Sequence, residues 1–140
     1  MISRVYPIGE LKTYKYVVVL STMCGKILLS QHKERTTWET QGGHVEPGES
    51  PYEAARRELY EESGALRYTL HEAFDYEAGD AHGSATGRVF FADIEELGPI
   101  PESEMAETAV FDAPPQNITY PGILPVLWVQ PAAKDFFGRE

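Results

Sequence analysis

One helix with clear start and stop signals most constrains what this chain can fold into. Ser50 is a favourable N-cap, Pro51 suits the first helical position, and Glu53 completes a capping box with Ser50. Gly64 suits the left-handed conformation that commonly ends a helix. These residues predict a helix from about Pro51 to Ser63.

Glutamates are concentrated at the edge of the predicted buried face of this helix. Successive residues of a helix are about 100° apart around its axis. The predicted core stripe is therefore formed by Tyr52, Ala55 and Leu59. The predicted solvent face is formed by Glu53, Arg56 and Tyr60. Glu58, Glu61 and Glu62 share a third sector beside the core stripe. Glu58 and Glu62 are a like-charge i,i+4 pair, which is unfavourable even in water and more so when partly desolvated. Another interaction must offset this repulsion.

A solvated acidic face with local ion pairs is the ordinary explanation for such a helix, and Arg57 can pair with Glu53 and Glu61. That explanation does not account for carboxylates converging beside the core. Carboxylate oxygens are ligands that hard cations such as Mg²⁺ or Mn²⁺ accept. Gly42 and Gly43 precede the helix and allow a backbone carbonyl to turn towards the same ions. We therefore favour a divalent-cation site.

Length and charge limit the classes of function. The 140 residues suit a single domain spanning residues 1–140. A formal net charge of −10 argues against extended nucleic-acid binding, which needs a basic face. A phosphate-bearing substrate remains compatible if divalent cations lie between it and the carboxylates.

The chain contains no apolar run approaching the roughly 20 residues that span a bilayer. Its N-terminal stretch has no uninterrupted apolar segment of the kind found in signal peptides. The single cysteine, Cys24, allows no internal disulfide. We expect a cytoplasmic protein without a membrane partner, and a homodimer is compatible with this interpretation.

The rest of the chain alternates strand-like and turn-like segments. The predicted strands are Lys15 to Ser21, Gly25 to His32, Thr36 to Thr40, Leu66 to Ala78, Gly87 to Leu97, and a last short one in "TAVFDAPP". The first two form a hairpin, "QGG" ends the third, and a polar loop, "GDAHGSATG", joins the next two. A C-terminal helix interrupted by Pro125 and Pro131 follows. This order predicts an α/β fold with a mixed sheet flanked by helices.

The spacing of the glycines and glutamates matches a known family motif. From Gly43 the sequence reads Gly, five residues, Glu49, seven residues, and then "RELYEESGA", which starts at Arg57 and ends at Ala65. It resembles the Nudix box, GX5EX7REUXEEXGU, at each fixed position, with small Ala65 as the final apolar residue. Gln41 stands where the family often has proline. The resemblance implies a Nudix-type α/β/α sandwich.

The resemblance also implies a hydrolase that cleaves a nucleoside diphosphate linked to another moiety X, with divalent cations and an attacking water. By position in the motif, the implied catalytic residues are Arg57, Glu49, Glu58, Glu61 and Glu62. The implied Mg²⁺ or Mn²⁺ ligands are Glu58, Glu61, Glu62, the carbonyl of Gly43 or Gly42, and one further loop glutamate. We expect Glu107 in that last role, with Glu104 as second choice, although a solvated acidic loop explains both equally well.

Substrate contacts are less clearly marked. Arg35 could meet a phosphate, and Trp38, Tyr76 and Tyr120 could stack on a base, although such aromatic residues often pack in the core. A nucleoside triphosphate, including oxidised forms, is the favoured substrate. An RNA 5′-pyrophosphohydrolase or a nucleotide-sugar hydrolase is the alternative within the fold, and a non-catalytic nucleotide sensor is the alternative of another class.

Overall fold

The computed structural model describes residues 2–137, which form one mixed sheet with helices on both faces. The strands are β1 (Ile2–Pro7), β2 (Tyr16–Met23), β3 (Lys26–His32), β4 (Trp38–Glu39), β5 (Gln41–His44), β6 (Ala65–Asp80), β7 (Gly83–Leu97) and β8 (Met105–Phe111). The helices are α1 (Pro51–Ser63), α2 (Leu124–Trp128) and α3 (Pro131–Phe137). The predicted bounds of α1 are confirmed.

The sheet has the strand order β1-β6-β7-β2-β3-β4, with β5 paired to β2 and β8 paired to β3. Strands β2 and β7 are parallel and the other pairs are antiparallel. The predicted hairpin of β2 and β3 is confirmed, with Ser21 opposite Leu28. The mixed sheet is also confirmed.

Strands β2 and β3 diverge, and the glycine segment enters the gap between them. The first half of β2 pairs with β5, where Val18 lies opposite Gly42, and the second half of β3 pairs with β4. The prediction that "QGG" ends regular structure was therefore wrong. Gly42 has φ 155°, and a Cβ there would lie 2.4 Å from the carbonyl oxygen of Val17, so only glycine fits.

Alternating residues of the central strands face two cores. On one face Val19 and Phe90 pack against Ala54, Ala55 and Leu59 of α1. On the other face the sheet packs against α2 and α3, through residues that include Leu20, Phe91, Leu124 and Leu127. The layers are those of an α/β/α sandwich. Tyr52, predicted to face the core, is 41% exposed.

Several elements differ from the sequence prediction. Strand β1 was not predicted, and it pairs with β6 at the sheet edge. The segment "GDAHGSATG" forms the end of a long β6–β7 hairpin, with Gly79 opposite Ser84, and not a separate loop. Pro125 lies in the first turn of α2 and Pro131 begins α3, where proline is tolerated, so the C-terminal helix is divided between them. No helix in residues 2–137 is long and apolar enough to cross a membrane.

Candidate active site

The caps of α1 fix the positions of its glutamates. Ser50 Oγ accepts a hydrogen bond from the Glu53 amide at 3.1 Å, and Glu53 Oε1 accepts one from the Ser50 amide at 2.9 Å. Gly64 ends the helix at φ 78°, and its N–H donates to the Tyr60 carbonyl. The predicted capping box and C-terminal glycine are confirmed, so the register of the helix follows from local signals.

Glu62 is held against the glycine segment. Its Oε1 accepts a hydrogen bond from the Gly42 amide at 2.8 Å, and its carbonyl accepts one from Ser30 Oγ at 2.8 Å. Burial raises the pKa of Glu62 to about 8, an effect that the Gly42 hydrogen bond opposes and the negative charge of Glu58 reinforces. A bound cation would relieve this unfavourable burial of charge.

Glu58 lies beside the second glycine. A Cβ on Gly43 would come within 2.8 Å of the Glu58 carboxyl carbon, so the glycine makes room for this carboxylate. Glu58 accepts a hydrogen bond from Arg57 Nη1, and its side chain is 13% exposed. Burial raises the pKa of Glu58, and the Arg57 contact partly offsets the effect.

Arg57 joins the helix to the preceding loop. Its Nε donates to Glu49 Oε2 at 2.8 Å and its Nη2 to Glu49 Oε1 at 2.9 Å, a bidentate pair, while Nη2 also donates to the His44 carbonyl at 3.0 Å. Hydrogen bonds from Arg57 are the main cause that lowers the pKa of Glu49 to about 2. The pair thus clamps the loop, and Arg57 also contacts Glu58.

Glu61 completes the cluster from its solvent edge. Its side chain is 45% exposed, and its carboxylate lies 3.7 Å from Arg57. Within residues 2–137, no three His, Cys, Asp or Glu side chains stand ready-made for a metal ion. The oxygen donors suit Mg²⁺ or Mn²⁺. The residues that would hold such a cation are Glu58, Glu61 and Glu62, of which Glu58 and Glu61 lie within salt-bridge distance of Arg57.

The predicted loop ligand does not join this cluster. On β8, Glu107 occupies the sheet face of Trp38, whereas Ser30, which contacts Glu62, occupies the α1 face. Neighbouring strand residues point to opposite faces, so the expectation that Glu107 adds a ligand is not supported by the register. The second choice, Glu104, pairs with a histidine of β3.

Glu39 is a buried acid that the sequence analysis did not single out. It lies opposite Ser30, on the α1 face, is 7% exposed, and its charge adds to the raised pKa of Glu62. Arg35, a predicted phosphate contact, balances it at 3.1 Å and has the Tyr120 ring 5.9 Å away. The sequence signal that could have identified Glu39 is an acidic residue within a β-prone stretch just before the glycines.

Two of the three predicted stacking residues, Trp38 and Tyr76, lie away from the glutamates. Trp38 is half-buried on the opposite sheet face, edge-on to Phe111 with ring centroids 5.3 Å apart. Tyr76 is 3% exposed, and its hydroxyl occupies the space where a Cβ on Gly87 would lie. Burial raises the pKa of Tyr76. The expectation that Tyr76 stacks on a base was wrong, because it is a core residue.

Comparisons with known proteins agree with this geometry. A family model described as NUDIX domain matches residues 12–117. The chain belongs to the NUDIX family. A crystal structure of the Bacillus subtilis pyrophosphohydrolase BsRppH superposes with a TM-score of 0.72 at 31% identity, over 81% of this chain and 73% of that one. The α/β/α sandwich of this NUDIX chain is thus shared with a solved pyrophosphohydrolase.

Two curated relatives are similar over shorter segments of this NUDIX chain. "Putative 8-oxo-dGTP diphosphatase YtkD" of Bacillus subtilis is 40% identical over 83 residues, 59% of this chain and 52% of the relative. "RNA pyrophosphohydrolase" of Francisella philomiragia is 43% identical over 47 residues, 34% of this chain and 30% of the relative. The chain therefore matches about half the length of the first relative and less than a third of the second.

Proposed function

We propose that this chain is a Mg²⁺-dependent or Mn²⁺-dependent pyrophosphohydrolase that converts a nucleoside triphosphate, including oxidised forms, to the monophosphate and pyrophosphate. The observation that carries the proposal is the position of Glu58 and Glu62, two largely buried carboxylates of like charge with raised pKa values, against Gly43 and Gly42. Such a pair is unfavourable without a cation. The name of the relative YtkD supports the choice of oxidised purine triphosphate.

Divalent cations bound there would neutralise the phosphates and lower the pKa of the attacking water. The Gly42 amide fixes one oxygen of Glu62, which leaves the other free to act as a ligand. Glu49 holds Arg57, and Arg57 in turn orients Glu58. Glu61 is the box glutamate with the weakest contact to protein groups, so it can turn towards the water and accept its proton.

Arg35 completes the proposal on the substrate side. It lies beside the buried Glu39, at the margin of the carboxylate cluster, and its side chain is 41% exposed. An exposed, permanently charged guanidinium in this position can bind a phosphate that the cations do not cover. Trp38 remains half-buried at the other face of the sheet and would act only at the rim.

Hydrolysis of the 5′ triphosphate of RNA is the second candidate. The similarity to the Francisella philomiragia relative named "RNA pyrophosphohydrolase" favours it. The net charge of −10 disfavours extended RNA contacts, so this activity would depend on reading the 5′ end. A non-catalytic sensor is less well supported, because a binder has no need of the complete set Glu58, Glu61 and Glu62.

A substrate panel tests the proposal. Hydrolysis of 8-oxo-dGTP, the ordinary nucleoside triphosphates, a nucleotide sugar and short triphosphorylated RNA is measured with Mg²⁺, with Glu62→Gln as the matched inactive control. We expect the highest kcat/KM for a nucleoside triphosphate, and a loss of about a hundredfold or more in Glu62→Gln. Preference for RNA would favour the second candidate, and equal turnover by Glu62→Gln would contradict both.

A further inference from the structure

A second concave site lies behind the helix that carries the box glutamates. The groove, about 580 Å³ in volume, runs between α1 and the beginning of β6. Six of its lining side chains matter here: Arg56, Arg57, Arg67, Tyr52, Tyr60 and Tyr68. Tyr52, Arg56 and Tyr60 follow one another at i, i+4 and i+8, on the side of α1 opposite Glu58 and Glu62. The groove is therefore separate from the carboxylate cluster.

The positive charge that this groove can offer to a ligand comes mainly from Arg56. Three arginines and no acidic residue line the groove, but four carboxylates lie within salt-bridge distance of Arg57. Within residues 2–137, no carboxylate lies within salt-bridge distance of Arg56. Arg67 pairs with Glu95 at 3.0 Å, but both side chains are more than half exposed, so water screens the pair. The groove can thus accept an anion.

Aromatic side chains fix the arginine in place and offer surfaces for a flat ligand. Arg56 Nε donates to the Tyr68 hydroxyl at 3.3 Å, which holds the guanidinium between helix and strand. The Tyr52 ring packs edge-on against Phe90, with centroids 6.1 Å apart, while Tyr60 is 45% exposed beside it. Tyrosine rings stack on heteroaromatic ligands, and arginine binds phosphate through charge-assisted hydrogen bonds.

We propose that this groove is a second nucleotide-binding site, which binds the aromatic base against the tyrosines and the phosphate at Arg56 without a divalent cation. Its volume lies within the roughly 300–1,000 Å³ of small-molecule sites. The site goes beyond the proposed hydrolase activity and does not depend on it. Because Arg57 lines the groove and also holds Glu49, a nucleotide bound there lies next to the residue that orients the box.

Binding of GMP in the presence of EDTA tests this site separately from the hydrolase site. Without divalent cations, the box carboxylates repel a phosphate, so binding that survives EDTA and is weakened by Arg56→Gln reports the groove. We expect wild type and Glu62→Gln to bind GMP equally in calorimetry, and Arg56→Gln to bind it about tenfold more weakly. Arg4→Gln is the matched control, because Arg4 is also an exposed arginine beside a tyrosine ring, on β1.

Four results would overturn the assignment. They are the absence of GMP binding in EDTA, unchanged binding by Arg56→Gln, weakened binding by Arg4→Gln, and inorganic phosphate or guanosine binding as tightly as GMP. A monomer–dimer equilibrium in sedimentation that Arg56→Gln abolishes would also contradict it, since the groove would then hold a second copy of the chain. Circular dichroism of each variant establishes that it is folded.

Discussion

Two arginine-centred clusters flank Val17 on the α1 face of the sheet, and they differ in their balance of charge. Val17 lies opposite Gly43, beside Glu58, on one side and opposite Arg88 on the other. The carboxylates within salt-bridge distance of Arg57 are Glu46, Glu49, Glu58 and Glu61. Those of Arg88 are Glu72 and Asp75. One cluster has a large excess of negative charge, and the other is nearly neutral.

The two clusters also differ in how completely hydrogen bonds satisfy their buried carboxylates. Asp75 is fully buried and accepts hydrogen bonds from Arg88 at 2.8 Å, the Tyr14 hydroxyl at 2.8 Å and the Gly9 amide at 3.1 Å. The cluster is thus complete without a ligand and ties the segment after β1 to the sheet. Beside the Arg57 cluster, Glu62 accepts a hydrogen bond from the Gly42 amide, and burial raises its pKa. Surplus charge, and not ion pairing itself, distinguishes the candidate active site from the Arg88 cluster.

The largest expected effect is on stability and concerns the Arg88 cluster. Arg88→Met should lower the free energy of unfolding by about 3–5 kcal/mol, because it leaves the buried Asp75 carboxylate without its cation. Urea denaturation measures the change. Arg67→Met is the matched control, since it breaks an exposed pair and should cost less than about 1 kcal/mol. Equal effects would show that the Arg88 cluster is not a structural clamp.

An intermediate effect is expected at Glu49, which orients Arg57. Glu49→Gln should lower turnover by about 10–100-fold, as expected for a residue that positions metal ligands. Folding lowers the pKa of Glu49 from 4.5 to about 2, so its ionised form stabilises the fold above pH 4.5. That contribution is lost as the pH falls towards about 2. The free energies of unfolding of wild type and Glu49→Gln, measured by urea denaturation, should therefore converge at low pH. A difference that stays constant with pH would contradict the role of the ion pair.

The smallest expected effect is on Glu107 of β8, which we compare with a glutamate of the Nudix box. Glu107→Gln should change turnover by less than about twofold, because Glu107 lies on the sheet face away from Glu62. Glu61→Gln, which removes a box carboxylate, should reduce turnover by about a hundredfold. Steady-state kinetics of both variants gives the comparison. A large loss in Glu107→Gln would mean that this glutamate does reach the cations.

Local signals made α1 predictable, and tertiary contacts explain what was missed. Ser50, Glu53 and Gly64 specify the ends of the helix through bonds within a few residues of each other. Strand β5 depends instead on pairing with β2, and its glycines gave no local strand signal. The same holds for the hairpin end near Gly79, where pairing with β7 overrides a sequence typical of a loop.

In the candidate site, too, the residues on the helix were predictable from the sequence and the residues on other strands were not. The box spacing identified Glu58 and Glu62 because a helix fixes its own geometry. The partners supplied by other strands could not be read from spacing, because register decides which face a residue occupies. Register therefore brought in Glu39 and placed Glu107 and Tyr76 elsewhere.

Mg²⁺ binding measured against pH tests the central claim, that surplus carboxylates form a cation site. Folding raises the pKa of Glu62 from 4.5 to about 8, so the contribution of Glu62 to the stability of the metal-free fold is greatest below pH 4.5 and falls as the pH rises towards about 8. A bound cation requires the ionised form.

Calorimetry of wild type should therefore show Mg²⁺ affinity that rises roughly tenfold between about pH 6.5 and about pH 7.5, with release of a proton. Glu62→Gln should bind Mg²⁺ far more weakly and keep its thermal stability in EDTA. Wild-type affinity in Glu62→Gln, or binding that does not change with pH, would contradict the account.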